Sequence, residues 1–483
     1  YIYKTTDFGH SWKLISAGLP RSPLSFVHVV AEDPVRRGLL FAGTENGVYV
    51  TLDDGATWLP LQTNLPHAPV SWLSVQPHFH DLVVSTYGRG FYILDDISPL
   101  EQLTPATLTG SATVFGPPQA YRLRAQQGLT NAPNSAIQTD NAPYGALLTY
   151  YVPPALADTT QGAAIAGGGS GEGDEGGGPG GSNAVCPAPG PAGASGDSTQ
   201  RPLKPARIVI QDATGDTVRV LQGQRKPGLN RVCWDLRYKA PTTPRLRTSP
   251  PGKPFVRVGA EGTRPLVTWD LDLSLRGPLV LPGTYSLSLV LVGSDTTATP
   301  VTATQSLTVL KDPNTAGTDA DVQAQGKLAR AIRGEQDSVA RLINQLEWVR
   351  KQVHDLTTQL RDSALVTDTA AKRLAVLADS VERRAVAAEA MLFDVNLTGA
   401  REDAFRNPMQ LYGRLAALQS DVAENGADFA PTAQQLAVND VLAQRLAQAT
   451  ERFTDVVTKQ VPRLSAELRK TPLRDVIGSG LVP

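Results

Sequence analysis

Two histidines and an aspartate lie close together at His78, His80 and Asp81, just before an apparent strand. Alternate residues of a strand share a face, and imidazole is a common zinc ligand, so the spacing suggests a metal site. A zinc site needs three or four protein ligands, and no third ligand is evident here. Because the stretch follows Pro77, we predict a surface loop with no metal, and we predict no cofactor elsewhere.

The candidate nucleophiles have no matching motif around them. No serine lies in a nucleophile-elbow pattern, and neither cysteine, Cys186 or Cys233, lies in a cysteine-protease pattern. The glycine-containing stretch at 43–47 lacks the Lys-Ser/Thr pair and the following helix of a phosphate loop. The two cysteines leave two alternatives: a disulfide between them, or a buried strand residue Cys233 and an unrelated loop residue Cys186. An even count permits pairing without demanding it, so we favour the second.

A few polar side chains in the first hundred residues could line a ligand cleft. They are Glu45, Tyr87, Arg89 and the adjacent Asp95 and Asp96. Each also has a structural interpretation, since Arg89 lies between two glycines in a tight strand connection and the two aspartates lie at a turn. We therefore keep Glu45, Tyr87 and Arg89 as weak ligand-cleft candidates and assign no catalytic residue.

Length and composition limit the class of protein. The 483 residues suffice for about three domains. Hydrophobic residues make up 41% and charged residues 19%, which is typical of globular proteins, and no stretch approaches the roughly 20 apolar residues of a membrane span. A net charge of -1 provides no basic surface for a phosphate backbone. We predict neither a nucleic-acid partner nor a membrane span.

A repeat organises the N-terminal third. The ten residues from Tyr3 align with those from Tyr49, and a third copy from Tyr92 keeps Asp96 but lacks the Gly and Trp. The tyrosines are 46 and 43 residues apart, which matches a four-stranded propeller blade. The copies share a pattern of Thr, Asp, Gly, Ser/Thr and Trp: Thr5, Asp7, Gly9, Ser11, Trp12, and Thr51, Asp53, Gly55, Thr57, Trp58.

The residue types of this pattern favour a structural role over a catalytic one. An Asp carboxylate can accept hydrogen bonds from the backbone of its own turn, and Gly permits the positive φ that such a turn needs. The Trp is expected to pack into the sheet. We therefore predict that both copies stabilise turns.

The pattern resembles the Asp-box of BNR-repeat β-propellers. The run from Asp81 to Asp96 is also similar to the last blade of bacterial sortilin-like proteins that are often labelled glycosyl hydrolases. The resemblance implies a propeller followed by a sandwich domain and a helical domain. It implies little about chemistry, because sialidases and xyloglucan-cleaving enzymes of this fold take their catalytic groups from several blades, and a fold does not carry function.

The chain begins at Tyr1, inside an apparent strand rather than behind a signal sequence. We expect it to be the C-terminal part of a larger extracytoplasmic protein, either secreted, periplasmic or at the cell surface. The expected domains are propeller blades at 1–105, a β-sandwich at 106–312 and a helical bundle at 313–483.

The middle region contains short alternating strands with Gly and Pro turns, which favour an immunoglobulin-like or fibronectin-like sandwich. A tract at 155–200, rich in Gly, Ala, Ser and Pro, interrupts it. That composition cannot bury a core, so we predict a flexible insertion.

Beyond Pro313 the composition favours helices. Apolar residues alternate steps of three and four along three segments, beginning at Val339, Leu374 and Leu442. We favour an intramolecular bundle over an intermolecular coiled coil, because three such segments can satisfy one another. Self-association through these segments stays an alternative, and we expect the nearby Arg and Glu residues to form a solvated face.

Three functions fit these observations: a binding module for a glycan or protein ligand, a glycoside hydrolase, or a structural surface protein. The hydrolase requires two carboxyl groups on one cleft, about 5 to 9.5 Å apart. A binding module requires a cleft with aromatic walls and no such pair. We favour the binding module.

Overall fold

The computed structural model describes residues 1–123, 144–157, 205–266, 276–291, 301–361 and 369–470, except residues 63, 401, 404, 405, 425 and 426. The chain forms two compact units, and the first consists of residues 1–236 and 282–312. The second consists of residues 237–281 and 313–483. The first unit is built mainly from strands and the second mainly from helices. The predicted order of β structure followed by helices is correct.

The first unit begins with three antiparallel sheets in chain order. The first sheet is β1–β2, the second is β3–β4–β5–β6 and the third is β7–β8–β9. Their bounds are β1 Tyr3–Lys4, β2 Lys13–Leu14, β3 Val27–Glu32, β4 Leu40–Thr44, β5 Gly47–Thr51, β6 Leu59–Pro60, β7 Val70–Gln76, β8 Asp81–Thr86 and β9 Gly90–Leu94.

The second sheet is apolar on both faces and has a separate core on each side. Towards the first sheet, Leu40 and Ala42 are buried with Ile2 and Ile15. Towards the third sheet, the buried residues are Val29, Phe41, Val48 and Val50 from the second sheet and Val70, Leu73, Leu82 and Val84 from the third. Alternate residues of a strand point to opposite faces, so a sheet covered on both sides needs apolar residues at nearly every position.

The described residues of the first unit contain two further sheets. One has the order β10–β12–β15 and the other β11–β19–β18–β13–β14, where β11 and β19 are parallel. The Trp234 and Tyr285 rings, one from each sheet, meet edge to face with centroids 5.4 Å apart. The bounds are α1 Ser98–Gln102, α2 Pro105–Thr109, β10 Thr113–Val114, β11 Ala120–Arg122, β12 Ala146–Val152, β13 Ala206–Gln211, β14 Thr217–Gly223, β15 Gly228–Trp234, β18 Gly283–Leu291 and β19 Val301–Lys311.

Cys233 of β15 is disulfide-bonded. The interpretation that we favoured, an unpaired cysteine in a strand, is therefore wrong. The other cysteine in the sequence, Cys186, lies outside the described residues, as does the predicted Gly-rich insertion beyond residue 157.

Among the described residues of the second unit there are five α-helices and a short hairpin. The bounds are β16 Arg245–Leu246, β17 Arg264–Pro265, α3 Asp319–Arg361, α4 Thr369–Glu389, α5 Leu411–Gln419, α6 Ala433–Asp455 and α7 Val461–Leu468. The three predicted apolar segments all contribute to one core in this unit. The apolar residues of these segments therefore pack against one another within the chain. The described structure gives no support for self-association through them. No helix in the described ranges is long and apolar enough to cross a membrane.

The segment at 237–281 belongs to the helical unit, although the sequence suggested that it continues the strands before it. Polar side chains along α3 accept hydrogen bonds from the backbone of this segment. Asp337 and Asn344 accept hydrogen bonds from the backbone N–H groups of Thr242 and Arg245 at 2.6 and 2.7 Å. Glu347 accepts one from Thr248 N at 2.8 Å. Because these acceptors recur at helical spacing, they form one stripe along α3 that fixes an extended segment.

A buried charge cluster lies between α3 and α4. Arg350 donates to Glu347 Oε1 at 2.9 Å, to Glu389 Oε2 at 2.6 Å and to Glu382 Oε1 at 3.0 Å. Glu347 and Glu389 are fully buried, and Arg350 is nearly so. The expectation that Arg and Glu beside the apolar segments form a solvated face is therefore wrong for these residues. One oxygen of Glu389 has no hydrogen-bond partner, so burial raises the pKa of Glu389 well above its usual value, against the attraction of Arg350.

The raised pKa of Glu389 predicts a pH-dependent stability. Above the unfolded pKa, near the usual 4.5, and below the higher folded pKa, the folded protein binds more protons than the unfolded chain. The free energy of unfolding of the helical unit should therefore fall as pH rises through this window. We expect Glu389→Gln, which mimics the neutral acid, to reduce the slope in urea unfolding followed by far-ultraviolet circular dichroism. The matched control is Glu467→Gln at an exposed position of α7. Equal slopes in the wild type and Glu389→Gln would contradict the prediction.

Candidate functional site

Both Asp-box copies form the same hydrogen-bonded turn. In the first copy, Asp7 accepts from Ser11 N at 2.8 Å, and Thr5 Oγ1 accepts from Gly9 N at 2.8 Å. Gly9 has a φ of +92°, where a side chain would be strained. The side-chain and backbone hydrogen bonds of Ser11 lower the pKa of Asp7 to about 2. The carboxylate therefore stabilises its own turn as an ionised acceptor.

The second copy repeats this geometry at a less exposed site. Asp53 accepts from Thr57 N at 2.8 Å, and Thr51 Oγ1 accepts from Gly55 N at 3.0 Å. Gly55 has a φ of +87°. Partial burial acts to raise the pKa of Asp53, but the hydrogen bonds from Thr51 and Thr57 outweigh it and lower the pKa. The side chains of Thr51 and Asp53 thus accept hydrogen bonds within their own turn.

The two tryptophans of the boxes differ sharply. Trp58 is 1% exposed and donates from Nε1 to the carbonyl oxygen of Ile15 in the preceding sheet at 2.6 Å. Trp12, its repeat equivalent, is 61% exposed. The expected packing of the box tryptophan therefore occurs at Trp58 and not at Trp12. Trp58 packs in one core with Ile2 and Ile15 of the preceding repeat copy.

The three ligand-cleft candidates lie at the opposite edge of the sheets from the boxes. Glu45 lies in the turn between β4 and β5, and Tyr87 and Arg89 lie in the turn between β8 and β9. These turns occupy equivalent positions in the repeat, since Thr44 pairs with Gly47 and Thr86 pairs with Gly90. We call this region the hairpin edge and include in it Phe26, His28 and His67, which are described next.

Contacts connect the two turns of the hairpin edge. His28 Nε2 lies 2.6 Å from Glu45 Oε2, and the ring of His28 meets Phe26 edge to face at 5.0 Å. His67 Nδ1 lies 3.2 Å from the carbonyl oxygen of Asn46. Two residues after His67, the carbonyl oxygen of Pro69 accepts from Tyr87 N at 2.8 Å. The loop before β7 thus links the turn that contains Glu45 to the turn that contains Tyr87.

The hairpin edge combines exposed aromatic rings with charge. Tyr87 is 80% exposed and Phe26 is 64% exposed. Arg89 is also exposed, between Gly88 and Gly90, which both have a φ of +77°. These glycines allow the tight turn that holds Tyr87 and Arg89 outward. Rings of this kind can stack on a sugar face or insert into a protein interface, and Arg89 can pair with a carboxylate or hydroxyl group.

Asp95 and Asp96 do not join the other candidates, because they follow β9 at the Asp-box edge. The backbone carbonyls of Asp95 and Asp96 accept from Arg231 of β15 at 3.0 and 2.7 Å. The carboxylate of Asp96 accepts from Ser98 N at 3.1 Å, whereas the complete boxes bond four residues ahead. Burial raises the pKa of both aspartates, and for Asp95 the nearby Asp81 adds to the shift. Their contacts connect the third sheet to β15.

His78 and His80 lie in the turn between β7 and β8. His80 Nδ1 lies 2.8 Å from Glu101 Oε1, and Asp81 Oδ1 accepts from Asp96 N at 3.0 Å. Within the described ranges, no group of three or more His, Cys, Asp or Glu residues has a geometry that could hold a metal ion.

Sequence reasoning missed three members of the hairpin edge: Phe26, His28 and His67. The sequence carries a signal for two of them. Phe26 and His28 lie at the start of β3, between the first and second copies of the pattern. Their alternate spacing places them on one face of the strand. His67 lies in an irregular loop, which no periodicity could locate.

No protein-family model, curated protein or solved structure matches this chain. The relation to BNR-repeat proteins therefore stays a resemblance carried by the Asp boxes and by the run at 81–96.

Proposed function

We propose that the chain is a binding and interaction module of a secreted or periplasmic β-propeller protein, with its ligand bound at the hairpin edge. The ligand is a glycan or a protein. The observation that carries this proposal is the pair of equivalent turns, in which Tyr87 is 80% exposed beside Arg89, and Glu45 is paired with His28 at 2.6 Å. Exposed rings beside fixed polar groups are typical of recognition surfaces.

The propeller part of the proposal is supported by the three successive sheets. They are antiparallel, they follow the sequence repeat, and the second sheet packs face to face with both neighbours. Blades of a propeller have this meander and this packing. In the same proposal, the two sheets that follow form an immunoglobulin-like sandwich, supported by the contact of Trp234 with Tyr285.

The arrangement of acidic groups favours binding over glycoside hydrolysis. Glu45 is the single carboxylate in the described loops of the hairpin edge. These loops are 19–26, 44–47, 61–69 and 86–90, except residue 63. Glu45 is already paired with His28. Both mechanisms of glycoside hydrolysis usually require a second carboxyl group across the scissile bond. No observation in the described loops of this edge therefore favours a glycoside hydrolase.

A ligand panel tests this proposal. The folded chain would be screened against oligosaccharides and extracytoplasmic proteins, and the affinity for each hit would be measured by calorimetry. We expect Tyr87→Ala and Arg89→Ala each to weaken binding about tenfold or more, which corresponds to about 1.4 kcal/mol. Phe79→Ala is the matched control, because Phe79 is an exposed ring, 56% exposed, at the opposite edge.

Unchanged affinity in Tyr87→Ala and Arg89→Ala would reject the hairpin edge as the site. Release of reducing ends from an oligosaccharide, abolished by Glu45→Gln, would replace the binding proposal with the hydrolase.

A further inference from the structure

A long loop of the second unit is fixed by two successive turns. The loop comprises residues 247–263 and joins β16 to β17. Its turns, at 250–253 and 253–256, are each closed by a backbone hydrogen bond, of 3.0 and 3.1 Å. Pro251 and Pro254 occupy the second position of these turns, where the fixed φ of proline is favoured. The prolines and turns therefore reduce the conformational freedom that the loop would lose on binding a partner.

Phe255 lies at the third position of the second turn and is 74% exposed. Hydrogen bonds fix the chain on both sides of it. Ser249 Oγ donates to the carbonyl oxygen of Val256 at 2.7 Å, within the loop. Lys253 Nζ donates to the carbonyl oxygen of Asn396, in the connection between α4 and α5, at 2.8 Å. Phe255 is thus a large apolar ring held outward on a fixed turn.

Arg247, at the start of the loop, presents a positioned guanidinium group. Its Cζ lies 4.3 Å from the centroid of the Trp348 ring on α3, and its Nη1 donates to the carbonyl oxygen of Arg245 at 3.0 Å. Glu347 accepts a hydrogen bond from the backbone N–H of Arg247 and not from its guanidinium. Within the described part of the chain, no carboxylate forms an ion pair with this guanidinium.

The surroundings of this guanidinium are positively charged. Arg245 and Arg257 are exposed, and the one acidic residue of the loop is Glu261. Burial lowers the pKa of Arg247, an effect that Glu347 opposes and Arg245 strengthens. The guanidinium therefore gains from a negatively charged partner, and its planar fork of N–H donors suits a carboxylate.

We propose that the loop at 247–263 and Trp348 bind an acidic segment of a partner protein, which places a carboxylate on Arg247 and an apolar side chain on Phe255. Aromatic and arginine side chains in this combination are typical of protein interfaces. A single exposed ring gives little affinity for a membrane, so a lipid surface is the less favoured occupant. This interaction uses residues of the second unit alone and goes beyond the ligand binding proposed for the hairpin edge.

Selection from a phage-displayed library of random short peptides, on the whole folded chain, tests the proposal. We expect the selected peptides to be enriched in Asp and Glu beside an aromatic or aliphatic residue. In fluorescence polarisation, a synthetic selected peptide should bind Phe255→Ala and Arg247→Met about tenfold or more weakly than the wild type. Arg247→Lys should also weaken binding, because an ammonium group lacks the fork of donors.

Phe429→Ala and Arg452→Met are the matched controls. Phe429 is 56% exposed, and Arg452 is exposed on α6. Both controls should bind the peptide as the wild type does, and so should Tyr87→Ala, which keeps this test separate from that of the hairpin edge. Circular dichroism checks that each variant is folded.

The absence of acidic enrichment among the selected peptides would overturn the proposal. Unchanged peptide affinity in folded Phe255→Ala or Arg247→Met would do the same. Vesicles of phosphatidylglycerol and phosphatidylcholine test the lipid alternative by sedimentation. Vesicle binding that is lost in Phe255→Ala, without selection of acidic peptides, would assign the loop to a membrane surface instead.

Discussion

Replacing Arg350 with methionine should lower the free energy of unfolding of the helical unit by about 3 to 5 kcal/mol, because the change leaves buried carboxylates without their cation. Arg350 is 3% exposed and donates to Glu347, Glu382 and Glu389. Methionine has a similar length and fills much of the volume, so the loss arises mainly from the uncompensated charge. Urea unfolding followed by far-ultraviolet circular dichroism measures the effect, since α3 and α4 supply much of the helical signal.

Arg361→Met is the matched control for Arg350→Met. Arg361 lies in the same helix and pairs with Asp379 at 3.0 Å, but its side chain is 64% exposed. An exposed ion pair contributes about 0 to 1 kcal/mol, so this variant should stay close to the wild type. In the Arg350→Met background, Glu347→Gln should recover part of the loss, because it removes a buried carboxylate that has lost its hydrogen bond from Arg350. Similar losses in Arg350→Met and Arg361→Met would contradict the role of the cluster.

Replacing Trp58 with alanine should lower the free energy of unfolding of the first unit by about 3 to 5 kcal/mol, through lost burial and the cavity left behind. Trp58 is 1% exposed, and its Nε1 hydrogen bond to Ile15 connects the second sheet to the first. Hydrogen exchange of the amides of β4 and β5, read by mass spectrometry, would report the change within this unit.

Trp12→Ala tests the same residue type at the same repeat position without the burial. Trp12 is 61% exposed, so its replacement should change the free energy of unfolding of the first unit by about 0.5 kcal/mol or less. A loss in Trp12→Ala as large as that in Trp58→Ala would show that the box tryptophan acts within its own turn rather than against the preceding sheet.

The local chemistry of the Asp boxes could be predicted because all of its partners lie within a few residues. Asp7 bonds to Ser11 and Asp53 to Thr57, in both cases four residues ahead. A fixed spacing in the sequence then brings the two residues into contact in the turn. The helical segments were predictable for a related reason, since apolar residues at steps of three and four must share one face of a helix.

The candidate site could be predicted only in part. The sequence identifies Glu45, Tyr87 and Arg89 as weak cleft candidates, and the strand pairings of the structure place their turns at equivalent positions of the repeat. The pairing of Glu45 with His28, and the link through His67 to Tyr87, depend on contacts across 17 or more residues. A composition or period carries no information about such contacts.

The sequence by itself determined the order of β structure followed by helices, the repeat and the turns of the Asp boxes, because these depend on local spacing. Tertiary structure alone decided which of two equivalent tryptophans is buried, since Trp12 and Trp58 differ in the sheet beside them and not in their own pattern. It likewise decided that Glu347, Arg350 and Glu389 form a buried cluster instead of a solvated face. Burial depends on what packs against a residue, and that partner lies far away along the chain.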